Sequence, residues 1–189
     1  MVHRNKIGRL IYLIGASGVG KDTFLNEVKN NYPKIFVAHR YITRPCFGDG
    51  ENHIALSFDE FELRKKLGFF VMDWDANTVR YGIGVEVQSW LEKGCDVFIN
   101  GSRSYLPTAK FLFKDNFYPL VITAEKDIIR QRLTQRGRER EEEIERRVKR
   151  AQELEKMEKN ITILKNNNTI ENLMLQFDSF YKDFMNEDK

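Results

Sequence analysis

The sequence predicts an α/β fold with a mostly parallel central sheet flanked by helices. Three observations predict it. Short apolar runs alternate along the chain with stretches of helical spacing, the pattern of strand–helix–strand units. The first run, Leu10 to Ile14, leads directly into a glycine-rich turn, GASGVGKD, at Gly15 to Asp22. The chain has 189 residues, 41% of them apolar and 31% charged, enough to bury a sizeable core as one domain spanning 1–189.

The elements follow in order. Leu10-Ile11-Tyr12-Leu13-Ile14 is apolar at every position and ends at glycine, which suits a strand covered on both faces. A helix is expected from about Gly20 to Asn30 and a second strand from Ile35 to Ala38. Ser57-x-x-Glu60 is a capping box that opens a helix through about Lys66. Phe69 to Trp74 and Val79 to Gly82 read as strands. Val97 to Ile99 and Leu120 to Ile122 are further core strands, each after a helix-like stretch. Glu125 to Arg136 is helical, and Glu141 to Lys159 is a long charged helix with few apolar positions. Ile161 to Leu164 is the last strand. The final helix carries Ile170, Leu173, Met174, Phe177, Phe180, Tyr181 and Phe184 on one stripe. The stretch Arg40 to Tyr81 interrupts the alternation and reads as an inserted lobe. The expected sub-regions are a core at 9–39 and 83–189, the lobe at 40–82, and a lid at 136–142.

Composition narrows the function classes. The formal charge of +3 is mild and does not by itself indicate a nucleic-acid binder. No apolar run is long enough for a membrane span, and Leu10 to Ile14 is too short for a signal peptide. Cys46 and Cys95 are far apart and read as reduced thiols. A cytoplasmic protein acting on small molecules is expected, with no nucleic acid and no membrane as partner. Cys46, His39 and His53 have irregular spacing and no evident fourth ligand, so no zinc site is expected.

A strand, a glycine-rich turn and a helix form the context of a phosphate-binding loop. Gly15, Gly18 and Gly20 let the backbone of Gly15, Ala16, Ser17, Gly18, Val19 and Gly20 turn its N–H groups around phosphate oxygens. The helix behind adds its positive dipole end, and Lys21 can reach the β- and γ-phosphates. The pattern G-x-x-x-x-G-K-[S/T] departs at its last position, where Asp22 stands. Two readings remain open. Asp22 is a hard oxygen ligand for Mg²⁺, or Thr23 supplies a hydroxyl to a phosphate while Asp22 braces the loop. The metal-related reading is preferred.

Arginines crowd a later segment. Arg130, Arg132, Arg136 and Arg138 are followed by Arg146, Arg147 and Arg150. Arg130, Arg146 and Arg150 read as a solvated helix face. Arg136-Gly137-Arg138 differs because glycine breaks the helix there. A hairpin carrying two arginines suits a lid that closes over a triphosphate, and the guanidinium fork matches phosphate oxygens.

The pieces GASGVGKD, ITRP, Tyr81-Gly82, RLTQRGRE and EIERRVKRA occur in the order seen in guanylate-kinase-like P-loop kinases, which the chain resembles over nearly its whole length. GKD, ITRP followed by GENHIALS, DANTVRYGIGVE, and NGSR followed by Leu106 are similar to one branch, the ribose 1,5-bisphosphate phosphokinases of the PhnN family. The resemblance implies a P-loop kinase fold with an acceptor lobe and an arginine lid. It also implies transfer of the γ-phosphate of ATP to ribose 1,5-bisphosphate, giving 5-phosphoribosyl 1-diphosphate and ADP, with Mg²⁺, in phosphonate use. It makes Lys21, Arg136, Arg138 and Arg147 the catalytic cations and Asp22 a branch trait. Guanylate kinases carry T-R-x-x-R in the acceptor lobe, whereas here Arg44 is followed by Phe47. Met72 stands where those enzymes place the glutamate that reads guanine, and Ser102 stands where they place a strand-end aspartate. Asp73 and Asp75 lie nearby and could partly substitute. The implied acceptor set is Arg44, Asn52, His53, Tyr81, Asn100, Ser102 and Arg103, with Tyr81 equally readable as core packing. Lys165-Asn166-Asn167-Asn168 reads as a turn, and in related kinases this loop passes near the adenine, so Asn166 and Asn167 join the ATP-binding candidates. The alternatives are a guanylate-type nucleoside monophosphate kinase and a non-catalytic binding module. The intact Gly20-Lys21 and the lid arginines favour an enzyme, and Phe47 and Met72 disfavour a guanine acceptor.

Overall fold

The structure is a computed structural model that describes residues 7–45, 52–76, 78–137, 140–155 and 161–186. Nine strands and seven α-helices are described among them. In chain order these are β1 (Leu10–Ile14), α1 (Lys21–Asn31), β2 (Ile35–Val37), β3 (Arg40–Ile42), β4 (His53–Ala55), α2 (Phe58–Lys66), β5 (Phe70–Ala76), β6 (Val79–Gly84), α3 (Glu86–Glu92), β7 (Asp96–Asn100), α4 (Leu106–Phe113), β8 (Phe117–Thr123), α5 (Lys126–Arg136), α6 (Glu141–Glu155), β9 (Thr162–Lys165) and α7 (Ile170–Asn186). The strands form a five-stranded sheet in the order β2-β7-β1-β8-β9 and a four-stranded sheet in the order β4-β3-β6-β5. The chain divides into two compact units, Met1–Tyr12 with Val28–Tyr118, and Leu13–Glu27 with Pro119–Lys189.

In the first unit β2 and β7 pair in parallel, Ile35 opposite Asp96 and Val37 opposite Phe98. All five residues of β7 are buried, as the apolar run requires. Asp96 is tied at its base, accepting from the Arg9 N–H at 2.8 Å and lying 3.8 Å from the Arg9 guanidinium. The lobe is the four-stranded sheet. β5 and β6 form an antiparallel hairpin, and β6 continues onto β3 with Ile42 opposite Tyr81. Phe61, Met72, Ile83 and Ile42 are almost wholly buried there. α2 packs on this sheet, with the Phe61 ring 4.7 Å from Phe70. The first half of its capping box forms, Ser57 Oγ accepting from the Glu60 N–H at 3.2 Å, while the Glu60 carboxylate accepts from Arg64 at 2.6 Å. The strands β3 and β4 have three residues each, and three residues carry no readable alternation.

In the second unit β8 and β9 pair in parallel from Leu120 opposite Thr162 to Thr123 opposite Lys165. α5 and α6 pack together. The few apolar residues of α6 are spaced for this, since Ile144, Val148 and Ala151 fall on one face and are buried. Arg130 crosses from α5 to Glu145 of α6 at 2.6 Å, so it belongs to the helix pair. From α7, Leu173 and Phe177 enter the core, and Phe177 meets the Phe24 ring edge-on at 5.3 Å. Two reciprocal side-chain clamps fix the last strand. The Gln176 amide bonds both the N–H and the carbonyl of Lys165, and the Asn167 amide bonds both the N–H and the carboxylate of Glu125. Among the described residues, no helix is long and apolar enough to cross a membrane.

Candidate active site

The glycine-rich turn lies in the second unit between β1 and α1. Gly18 and Gly20 have φ of 87° and 92°, a region that side-chain-bearing residues rarely adopt. A Cβ on Gly20 would also lie 2.5 Å from Asn166 Nδ2, so two constraints select glycine there. Lys21 Nζ donates to the carbonyls of Gly15 at 2.7 Å and Ala16 at 3.0 Å, which folds the ammonium back over the loop. Asn166 is buried, and its side chain donates to the Val19 carbonyl at 2.8 Å while its backbone N–H bonds Thr123. The end of β9 therefore supports the loop from behind. Asn166 and Asn167, both predicted near adenine, have their amides engaged on Val19 and Glu125.

A hollow of about 210 Å³ opens on this loop, lined by Ser17, Gly18, Gly20, Lys21, Asp22, Thr23, Arg132 and Arg136. Three cations face one carboxylate there. Arg136 is the last residue of α5, and Gly137 after it closes the helix in the left-handed conformation. Arg147 reaches the same loop from α6. It donates to Ser17 Oγ at 2.6 Å and is held by Glu143 at 2.5 Å. The Arg147 guanidinium keeps the Glu143 carboxyl below the ordinary carboxylate range. Arg138 lies outside the described residues, as do Cys46 and Phe47.

Arg132 is the residue that sequence reasoning passed over. Its Nη1 is buried with no hydrogen-bond partner among the described residues, and burial pulls its pKa below the usual arginine value. A buried cationic donor in the lining of that hollow has the chemistry to take up an anion. Arg132 and Arg136 are four residues apart and share one helix face, but the same spacing joins Arg146 and Arg150, so spacing alone does not single Arg132 out.

The acceptor candidates all belong to the first unit. His53 is buried in β4 opposite Arg40, and Arg44 follows β3 half-buried. The Asn52 amide donates to the carbonyls of Val37 and Ala38 and accepts from Lys29 at 2.9 Å, so it braces the β2–β3 connection. Tyr81 lies flat on Trp74 at 5.5 Å and 4°, and Trp74 in turn meets Tyr105 at 5.5 Å. Asn100 is buried at the end of β7, and Ser102 and Arg103 follow in the loop before α4. Met72 is 1% exposed, so the side chain at the guanine-reading position is core. A larger hollow of about 600 Å³ in this unit, lined by Lys29, Tyr32, Phe36 and Trp90 among others, includes none of these candidates. The phosphate loop, where the charged groups converge, is the chemically equipped site.

The chain is 43% identical over 173 residues to the ribose 1,5-bisphosphate phosphokinase PhnN of Pectobacterium parmentieri, covering 90% of this chain and 92% of that one. The chain belongs to the PhnN family of ribose 1,5-bisphosphate phosphokinases. It is 48% identical over 147 residues to the PhnN protein of Yersinia pestis, covering 77% and 76% of the two chains. The Thiobacillus denitrificans member is 42% identical over 162 residues, 84% of this chain and 85% of that one. No family model matches. Among solved structures, a guanylate kinase from Anaplasma phagocytophilum matches with a TM-score of 0.72 at 14% identity, over 95% of this chain and 87% of that one. That likeness establishes the guanylate-kinase-like fold, and family membership makes the chain a kinase.

Proposed function

We propose that this kinase transfers the γ-phosphate of ATP to the 1-phosphate of ribose 1,5-bisphosphate, giving 5-phosphoribosyl 1-diphosphate and ADP. The observation that carries this reading is the convergence of Lys21, Arg132, Arg136 and Arg147 on one phosphate loop in a chain of the PhnN family. An oxygen of the acceptor phosphate attacks the γ-phosphorus, the bond from that phosphorus to the β–γ bridging oxygen breaks, and ADP leaves with the electron pair. The acceptor is already anionic near neutral pH, so no general base is needed. The work is to hold two anions in line and to offset charge at the transferring group. Lys21 and the loop N–H groups would take the β- and γ-phosphates, and Arg136, Arg138 and Arg147 the transferring group. Asn166 would act by holding the loop.

Asp22 and Thr23 give hard oxygen donors beside the lysine. No group of three or more carboxylate, histidine or cysteine ligands occurs among the described residues. That donor set fits Mg²⁺, which commonly takes one or two protein oxygens and the rest from substrate phosphates and water. Bound Mg²⁺ would neutralise part of the triphosphate charge.

For the acceptor, Arg44, His53, Tyr81, Asn100, Ser102 and Arg103 supply cations and hydrogen-bonding groups for two phosphates and the sugar hydroxyls. With Met72 buried, a guanine edge placed in this lobe would lose a polar partner. A place in phosphonate metabolism and in the cytoplasm accords with this acceptor. The test is a coupled ADP-release assay over a panel of acceptors, with product identified by phosphorus NMR. Ribose 1,5-bisphosphate is expected to exceed GMP by at least about tenfold in kcat/KM. Faster formation of GDP would overturn the proposal.

A further inference from the structure

Tyr12 is a polar side chain in the middle of β1, where every residue is buried. Its ring is 0% exposed and tilts against Phe117 at 5.3 Å. Its hydroxyl accepts from the Ser102 N–H at 2.9 Å and donates to the Ser102 carbonyl at 3.0 Å. One hydroxyl thus holds both backbone groups of a single loop residue, using its one proton and a lone pair. Burial raises the phenol pKa well above its usual value, so the group stays protonated and able to donate.

The loop lies directly on the ring. A Cβ on Gly101 would fall 2.0 Å from Tyr12 Cζ, so this approach needs glycine at 101. The Ser102 carbonyl also accepts from the Tyr105 N–H at 3.2 Å, and Tyr105 leads through Trp74 to Tyr81. The segment Asn100 to Tyr105 is therefore fixed from the strand beneath it and from the aromatic stack beside it.

We infer that Tyr12 is a positioning residue for the acceptor: through its double bond to Ser102 it sets where Ser102 and Arg103 meet the acceptor phosphate. This rests on the reading of the loop as acceptor-binding. The Tyr12 hydroxyl is spent on both backbone groups of Ser102, so its influence should fall on one substrate.

The test is steady-state kinetics of Tyr12→Phe in the full chain, with Gly101→Ala beside it. Both variants should raise KM for the acceptor about tenfold and leave KM for ATP within about twofold of the parent. An unchanged acceptor KM in folded Tyr12→Phe overturns the inference. A matching rise in ATP KM also does, because Tyr12 would then be a general support of β1. A readout on the parent protein is independent of how the variants fold. The Ser102 amide should exchange slowly with solvent despite its place in a half-exposed loop, and fast exchange overturns the inference. Failure of the substrate proposal is seen separately, as absence of turnover of ribose 1,5-bisphosphate by the parent. The KM ratio is then read on whichever acceptor the parent uses.

Discussion

Lys21 lies over the carbonyls of Gly15 and Ala16, so its ammonium is already at the loop before phosphate arrives. On the proposed mechanism, replacing it by Ala removes a charge partner of the transferring group while leaving the glycine geometry intact. The expected outcome is a folded protein with kcat lower by roughly two orders of magnitude or more, measured by ADP release with folding checked by circular dichroism. Comparable turnover in variant and parent would remove the loop from the mechanism. At this scale the sequence was legible where chemistry dictates residue type. Gly18, Gly20 and Lys21 are chosen by backbone conformation and charge, and both leave a one-letter trace. Arg132 was not legible, because a string of arginines looks the same whether each is solvated or buried. Only the structure separates Arg130, paired with Glu145 of the neighbouring helix, from Arg132, with a buried donor in the lining of the hollow at the glycine-rich loop.

The helices α5 and α6 are tied to each other by the Arg130–Glu145 pair. They present Arg132, Arg136 and Arg147 toward the phosphate loop from two directions, and the buried stripe of Ile144, Val148 and Ala151 holds them together. The two arginines of α5 should separate kinetically. Arg132 is half-buried within the helix, with its Nη1 enclosed, and Arg136 is exposed at its end, next to the glycine stop. Arg132→Ala is expected to raise KM for ATP by about tenfold or more, as loss of a fixed, charged donor does. Arg136→Ala is expected to lower kcat more than it weakens nucleotide binding, since a helix-end group engages mainly on closure. Identical effects of the two changes would contradict the distinction. The elements themselves were read where they are long or strongly signalled. The capping box at Ser57 and the apolar runs of β1, β7 and β8 announce themselves. The strands β3 and β4 do not, because their pairing is set by contacts with β6 and with each other, not by any local pattern.

For the whole molecule, the question is how nucleotide and metal combine. Asp22 puts a negative charge at the head of α1 beside the lysine. Without a cation between them, that carboxylate repels a triphosphate. ATP with Mg²⁺ at a hundredfold excess over Kd should stabilise the protein by about 2.7 kcal/mol. In a chain of this size that corresponds to a rise in Tm of roughly 5–10 °C. ATP with EDTA should give a clearly smaller shift, and Asp22→Asn should narrow the gap between the two conditions. Equal shifts with and without metal in the parent would exclude a metal-linked role for Asp22. The order of motifs along the chain made the fold class readable, and it led to the glycine-rich loop on which the charged groups converge. The acceptor groups were less so, because Asn52 looks like a ligand residue in sequence but its amide spans the backbone of Val37 and Ala38.

The Asn166 side chain holds the Val19 carbonyl through its amide. Asparagine and aspartate are commonly treated as near-equivalents, differing by one atom and almost no volume. At this position the exchange, whether by mutation or by slow hydrolysis of the amide on ageing, would turn a donor into an acceptor against the Val19 carbonyl. It would also bury a negative charge behind the loop proposed to attract phosphate. The mildest entry in a substitution table is here an inversion of hydrogen-bond polarity at the proposed nucleotide site.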